Sequence, residues 1–198
     1  MKTFLPGILL TVVIGALAAY LFGRSGYMPA NADARPGKLE IWAASTSLDA
    51  TIAREAPTIP DPVPPTDVNL REGVALFATN CAVCHGSAKG DEAASPIARG
   101  LYQKPPQFAS EGVEDDPEAD SFWKIQHGIR LTGMPSFGDT LSEQQIWTLA
   151  TFLKHMDKLP PSVRPAWASV RNWPVTGMGA SGAPAAAATA KATPAPAG

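Results

Sequence analysis

The pattern of hydrophobic and polar positions divides the chain into an apolar N-terminal stretch, a Pro-rich connection, a segment with helical periodicity and a low-complexity end. Residues 3–23 carry no charge and are flanked by Lys2 and Arg24. A helix of that length spans a hydrocarbon core of about 30 Å. We therefore predict that residues 1–24 form a single transmembrane anchor, with a secretory signal, cleaved or uncleaved, as the alternative.

Residues 25–65 are predicted to be a juxtamembrane segment and linker between the anchor and the domain that follows. Ser47 is a candidate N-cap for a short helix that presents Leu48 and Ile52 on one side. Residues 57–67 then hold five prolines in eleven positions. Such a density removes amide donors and favours polyproline II, so we predict a semi-rigid spacer between membrane and domain.

Residues 66–160 carry apolar positions at helical spacing and form the predicted folded domain. A capping box from Asn69 to Glu72 is expected to begin the first helix, and one from Ser142 to Gln145 the last. A second helix is expected near 121–128, and no strong strand pattern occurs, so the fold class is all-α. The apolar faces comprise Leu70, Gly73, Val74, Phe77 and Cys81 in the first helix, and Ile146, Leu149, Ala150, Leu153 and Met156 in the last.

Beyond Pro160, which stops the last helix, two C-terminal segments differ in composition. Residues 161–175 include Trp167 and Trp173 and are predicted to pack back onto the domain as an extension. Residues 176–198 are mainly Ala, Gly, Pro and Thr with one charge, Lys191. Since nothing there can bury a core, we predict a disordered tail.

Charge and cysteine content narrow the possible functions. The whole chain has a formal charge of −2, but residues 66–160 hold 13 Asp and Glu against 8 Lys and Arg, a net of −5. An acidic domain argues against a nucleic-acid partner, because phosphate binding requires clustered Lys and Arg. The chain has only two cysteines, which does not make a disulfide framework.

The two cysteines belong to the pentapeptide Cys81-Ala-Val-Cys84-His85, which matches the C-x-x-C-H attachment motif of haem c. The two thiols add across the two vinyl groups of the haem, and the next residue supplies an imidazole as the proximal iron ligand. We therefore predict one covalently bound haem c, held by Cys81 and Cys84, with His85 below the iron.

Other uses of two cysteines and a histidine are less consistent with the sequence. A redox-active C-x-x-C pair occurs in a thioredoxin-like βαβ context, and no such pattern is present. A zinc site requires two more ligands, but His127 and His155 are 28 residues apart instead of three to five. A structural disulfide leaves His85 unexplained.

A six-coordinate electron carrier needs a second axial ligand, usually Met or His. Met134 lies in the loop Leu131-Thr-Gly-Met-Pro-Ser-Phe-Gly138, 49 residues after His85 and between two predicted helices. Gly133 and Pro135 allow an extended approach there and exclude a helix. We predict Met134 as the distal ligand, with His127 as its rival, while Met156 on an apolar helix face is expected to fill the core.

These features together resemble the class I cytochromes c over residues 66–160. The resemblance rests on Gly73 and Phe77 before the haem motif, the Gly-Met-Pro-Ser-Phe loop and a closing helix with Phe152-Leu153. It is closest to anchored bacterial monohaem cytochromes and to the haem c domains of respiratory oxidase subunits.

The resemblance implies that the first and last helices cross, with Gly73 permitting close approach and Phe77 against Phe152. It also implies that the Pro96 carbonyl accepts the proximal imidazole N–H and so orients His85. Trp123 and Arg130 are candidate contacts of the haem propionates; a buried Trp and a solvated Arg are equally consistent with the sequence.

The function implied is electron transfer by a membrane-tethered monohaem cytochrome in a respiratory chain, as a carrier and not an enzyme. Because haem attachment takes place outside the cytoplasm, the domain is expected to face the periplasm from the bacterial inner membrane. The alternatives are a haem c subunit of a larger oxidase or dehydrogenase complex and, in another class, a gas-binding or peroxidase-like protein. Redox partner proteins are expected, with the acidic run 111–120 as a docking surface or simply a solvated loop.

Overall fold

The computed structural model describes residues 4–27, 29–90 and 95–171, and these ranges are helices joined by loops. No β-strand occurs within them, so the predicted all-α class is confirmed. The predicted tail, residues 176–198, lies outside the described residues. The helices are α1 (Phe4–Arg24), α2 (Lys38–Glu55), α3 (Asp67–Asn80), α4 (Ala82–His85), α5 (Pro96–Gly100), α6 (Phe108–Glu111), α7 (Glu118–His127), α8 (Glu143–His155) and α9 (Arg164–Ser169), with a 3₁₀ turn at Met156–Lys158.

Helix α1 is the uncharged stretch seen in the sequence. Among the described residues, its segment Pro6–Arg24 is the one that is long and apolar enough to cross a membrane, and none of it is buried within the protein. An isolated helix of this kind leaves its apolar side chains without protein partners, as a lipid-facing helix does.

The core of the domain forms where α3 crosses α8. A Cβ atom at Gly73 would lie 2.4 Å from Cβ of Phe152, so only glycine permits this approach. The ring of Phe77 meets that of Phe152 edge-on, with centroids 5.7 Å apart. The crossing implied by the family resemblance is therefore present, and aromatic packing of this kind stabilises it.

The ends of the helices follow the sequence signals in one case and depart from them in another. At α8 the capping box predicted from Ser142 and Gln145 is confirmed in both directions. Helix α3 begins earlier than predicted: Thr66 is its N-cap and accepts a hydrogen bond from the amide of Asn69 at 3.3 Å. Asn69 is thus inside the first turn, because the hydroxyl of Thr66 satisfies its amide.

Residues 38–65, which precede the domain, pack against it, whereas the sequence predicted a linker here. Helix α2 is one continuous helix of 18 residues, so Ser47 is internal and not an N-cap, while Ile52 is buried. In the Pro-rich segment Val63 is only 3% exposed, and Asp61 Oδ2 accepts a hydrogen bond from the hydroxyl of Thr151 at 2.7 Å. Residues 57–65 therefore run across α8 as part of the domain and do not act as a spacer.

The C-terminal extension packs back as predicted, as far as residue 171. Val163 and Val170 are buried, and Trp167 in α9 meets Phe77 and Phe152 with ring centroids 5.4 and 5.5 Å away. Trp173 lies outside the described residues. The extension covers the far side of the α3–α8 contact.

Candidate cofactor site

The Cys-x-x-Cys-His motif forms a single helical turn, α4, that follows directly after α3. The amide of Cys81 donates to the carbonyl of Phe77 at 2.8 Å, and the amide of His85 donates to the carbonyl of Cys81 at 2.9 Å. The turn α4 then ends at Gly86, whose φ of +85° is readily adopted only by glycine. Both cysteine sulfurs are free of disulfide bonds.

A cavity of about 630 Å³ opens beside this turn. Cys81, Cys84 and His85 line it, and so does Met134, which lies 49 residues later in the chain. Its volume falls in the range of about 300–1,000 Å³ typical of cofactor sites. Much of the remaining wall is apolar, formed in part by Leu48, Phe77, Leu101, Phe108, Val113, Ile125, Ile129, Phe137 and Leu153.

This donor set fits haem c. Two thiols on one turn suit the thioether linkages, while an imidazole and a thioether that line the same cavity suit the two axial positions of iron. The apolar wall suits a porphyrin, because burial of its large apolar surface is favourable.

His85 is held from the loop that precedes α6. Its Nδ1 atom lies 3.0 Å from the carbonyl oxygen of Pro106, and its ring stacks on Phe108 with centroids 4.3 Å apart and planes at 10°. A carbonyl can only accept, so Nδ1 carries the proton and Nε2 keeps its lone pair. Burial lowers the pKa of His85, with the Pro106 carbonyl acting in the opposite direction, and favours the neutral imidazole that a metal requires.

The prediction that Pro96 supplies this carbonyl is wrong. Pro96 occupies the first position of α5, behind its N-cap Ser95, whose hydroxyl also donates to the carbonyl of Val83. The accepting carbonyl belongs to Pro106, ten residues further along the chain than Pro96, because the short helix α5 lengthens the loop between the motif and the acceptor. A proline at the N1 position is favoured by its fixed φ, and this explains its presence at 96.

Gln107, which the sequence did not single out, joins the two sides of this arrangement. It is 6% exposed, and its Nε2 donates to the carbonyl of Cys84 at 2.9 Å and to that of Pro105 at 3.1 Å. Its own amide donates to Glu111 Oε1 at 2.8 Å. Gln107 therefore ties the haem-motif turn to the loop whose carbonyl holds His85.

Met134 is presented by a compact loop after α7. The amide of Ile129 donates to the Met134 carbonyl at 3.1 Å, and the amide of Met134 donates to Thr132 Oγ1 at 3.1 Å. At the start of the loop Gly128 has a φ of +67°, and a Cβ there would lie 2.7 Å from the Met134 carbonyl oxygen. The backbone on both sides of Met134 is thus closely constrained.

The other residues considered for the cofactor do not line the cavity. His127 is exposed, with its ring 5.0 Å from that of Trp123. Trp123 is buried in the core, and Arg130 is exposed. The structure therefore brings Met134, and not His127, to the cavity that His85 also lines.

The thiols are unsuited to the alternative chemistries. Burial raises the pKa of Cys81 to about 12 and also raises the pKa of Cys84. Redox exchange and zinc binding both use thiolates, which a raised pKa disfavours. Within the described ranges no group of three or more His, Cys, Asp or Glu side chains is arranged to hold a metal ion.

The acidic run 111–120 lies along one edge of the cavity and is only partly solvated. Asp116 pairs with Lys124, with Oδ2 and Nζ 2.6 Å apart, and Glu111 caps the amide of Gln107. Asp115 is exposed and lines the cavity. Part of the run therefore stabilises the site, while part presents negative charge at its edge.

Comparison with known proteins gives one family match. Residues 68–153 match the family described as cytochrome c oxidase, cbb3-type, subunit III, and the matched segment contains all four proposed haem-binding residues. No curated protein matches the chain. A solved chain of a reducing HAO-like protein complex from Kuenenia stuttgartiensis is 24% identical over 49% of this chain and 48% of its own length, with a TM-score of 0.39.

Proposed function

We propose that the chain is a membrane-tethered carrier of single electrons, because residues 68–153 match a c-type cytochrome family and the all-α domain encloses a cavity whose lining fits haem c. In this proposal Cys81 and Cys84 form the two thioether links, His85 is the proximal ligand and Met134 the distal one. The observation that carries it is that these four residues line one cavity.

Bound haem c supplies one-electron exchange between Fe(III) and Fe(II). The chain supports this exchange by keeping its ligands in place. Pro106 and Phe108 hold the His85 ring, and the constrained backbone around Met134 limits its movement. A thioether ligand raises the reduction potential, which places the protein toward the oxidising end of a respiratory chain.

The test is expression of the full chain with a cytochrome c maturation system, followed by intact mass and a pyridine haemochrome spectrum. We expect one haem added to the polypeptide mass, a spectrum of two thioether links and a far-red sulfur-to-iron band. The double variant Cys81→Ala/Cys84→Ala should lose the covalent haem, whereas His127→Ala should keep it. A colourless wild-type chain with the mass of amino acids alone would overturn the proposal.

Helix α1 supports the membrane part of the proposal, with the domain on the periplasmic side of the bacterial inner membrane. We expect the full chain to stay with the membrane pellet after alkaline carbonate washing. Extraction into the supernatant would show that α1 does not span the bilayer. The proposed orientation rests on the export that haem c attachment requires.

The family match favours a second role with the same cofactor. The family is described as a subunit of an oxidase, so the domain is also a candidate subunit of a larger respiratory complex. A stable stoichiometric partner after mild detergent extraction would support this role. A monomer that exchanges electrons at each encounter would support the free carrier.

For docking, we propose that the acidic edge, defined as residues 111–120, attracts a basic redox partner. Negative charge near the exposed end of a cofactor accelerates encounter with cations at low salt. The haem of the wild-type protein should therefore exchange electrons faster with a cationic than with an anionic small complex, and the difference should shrink with salt. Asp115→Asn should reduce this preference, while the matched variant Asp139→Asn, away from the cavity, should not. Equal preferences in wild type and Asp115→Asn would contradict the docking role.

A further inference from the structure

Helix α2 has apolar side chains on two different sides. Toward the domain, Ile52 is 4% exposed and Leu48 lines the cavity. Near its N-terminus, Leu39 is 75% and Trp42 is 64% exposed. At 3.6 residues per turn Leu39 points half a turn away from Leu48, so Leu39 and Trp42 form an outward apolar patch that the described residues leave exposed.

Glu40, the charged residue between Leu39 and Trp42 in the sequence, is directed toward the domain. Glu40 accepts hydrogen bonds from the hydroxyl of Tyr102, at 2.9 Å for Oε1 and 2.8 Å for Oε2. Tyr102 belongs to the loop after α5, so this contact also ties the N-terminal half of α2 to the domain. The outward side of the first two turns carries Leu39, Trp42 and Ala43, with Lys38 beside them.

The patch follows closely after the proposed anchor. Thirteen residues, 25–37, separate the end of α1 from the start of α2, and this segment reaches at most about 45 Å when fully extended. Its surroundings have the composition of a membrane interface: Tyr27 is 82% exposed, and Arg24, Arg35 and Lys38 are basic. Aromatic rings with an apolar body and basic side chains both favour the headgroup region, the latter most strongly where the lipids are anionic.

We propose that the Leu39–Trp42 patch lies in the interfacial region of the lipid bilayer, so that α2 holds the haem domain against the membrane surface. This inference rests on the proposed membrane anchoring by α1. Its occupant is the lipid surface, because the patch combines exposed apolar and basic groups and follows a membrane-spanning helix in the chain. Since Leu48 of the same helix lines the cavity, the membrane contact and the haem site share one rigid element.

The test uses the full-length haem-loaded protein in vesicles of phosphatidylcholine and phosphatidylglycerol that contain a phospholipid with a diazirine in its acyl chain. After photolysis, trypsin yields the peptide 39–54, which holds the patch, and the peptide 55–71, which holds Val68. Val68 is an exposed apolar residue of α3, 73% accessible, and is the matched control. We expect lipid adducts in α1 and at Leu39 and Trp42, and none in 55–71.

Two variants sharpen the result. Leu39→Ser/Trp42→Ser should lose the adducts in 39–54 while α1 stays labelled, and Val68→Ser should leave both signals unchanged. Labelling of α1 without any in wild-type 39–54 would overturn the interfacial contact but leave the anchor intact. An unlabelled α1 would overturn the anchor, and with it this inference. Equal labelling of 39–54 and 55–71 would also overturn it, because the reaction would not be selective for the patch.

Discussion

Nδ1 of His85 lies 3.0 Å from the carbonyl oxygen of Pro106, which is 21 residues further along the chain. This contact selects one tautomer of the imidazole and leaves Nε2 as the nitrogen available to a metal. A hydrogen bond of this kind also makes the imidazole a stronger donor. Because the acceptor is a backbone atom, its position depends on what holds the Pro105–Pro106 loop.

Gln107→Leu removes the side-chain bonds that join this loop to the Cys84 carbonyl. We expect a loss of about 1–2 kcal/mol in the free energy of unfolding, since two partly buried carbonyls lose a donor. A looser loop weakens the bond to His85, so the reduction potential should rise. Urea unfolding and a redox titration measure the two effects, with Gln144→Leu on the exposed side of α8 as the control. An unchanged potential in Gln107→Leu would refute the positioning role.

Met134→Ala tests the distal ligand. We expect loss of the far-red band, binding of carbon monoxide by the reduced protein, and a potential lower by on the order of 100 mV, since axial ligands set potentials over about 0.8 V. Met156→Leu changes a buried methionine that does not line the cavity. It should keep the band and cost less than about 1.5 kcal/mol. Carbon monoxide binding by the wild-type protein would instead favour the gas-binding or peroxidase-like alternative.

Gly128→Ala tests the backbone of the methionine loop. Gly128 has a φ of +67°, and a Cβ added there would lie 2.6 Å from the carbonyl carbon of Pro135. With a ψ of −173°, this backbone conformation is readily adopted only by glycine, and it costs about 1–3 kcal/mol for another residue. We expect lower stability together with a weakened far-red band. Gly100→Ala, where a Cβ meets nothing within 4 Å, is the control and should leave both unchanged. A Gly128→Ala variant with wild-type stability and an undiminished far-red band would show that the loop tolerates a Cβ at this position.

The environment of Asp61 should make the free energy of unfolding depend on pH. Burial raises its pKa, while hydrogen bonds from Val63 and Thr151 act in the opposite direction with less effect. The folded state therefore binds this proton more tightly than the unfolded state, and the free energy of unfolding should fall as pH rises above about 3.9, the ordinary pKa of Asp. Urea unfolding across the acidic pH range should show this fall in wild type and a smaller fall in Asp61→Asn. Asp139→Asn is the exposed control; identical slopes in wild type and Asp61→Asn would contradict the prediction.

The parts of the site that could be predicted are those determined by local chemistry. The haem motif needs two thiols and an imidazole on one turn, and the loop around Met134 is marked by Gly133 and Pro135, so both are visible without the fold. The capping box at Ser142 is likewise a contact within four residues. These features depend little on what the rest of the chain does.

The parts that were missed depend on contacts between distant segments. The prediction named Pro96, whereas the accepting carbonyl belongs to Pro106, because spacing alone does not reveal that α5 lengthens the loop. Gln107 carries no charge and no motif, and its role arises only from carbonyls that the fold brings to it. The proline content of 57–65 describes the backbone conformation of the segment, whereas burial of Val63 and the bond from Thr151 to Asp61 determine where the segment lies.

The burial of Ile52 and Val63 bears on how a water-soluble version of the protein should be made. Cutting before Thr66, where the periodic pattern begins, would strip two apolar side chains from the interior and remove Leu48 from the cavity wall. A shortened gene that starts just ahead of Lys38 keeps all three and discards only the membrane-spanning helix and its tether. Because haem attachment takes place outside the cytoplasm, both products need a cleavable export signal ahead of them. The exported product that starts at Lys38 should then mature with haem in good yield, whereas the one that starts at residue 66 should be recovered mainly as unfolded or degraded chain.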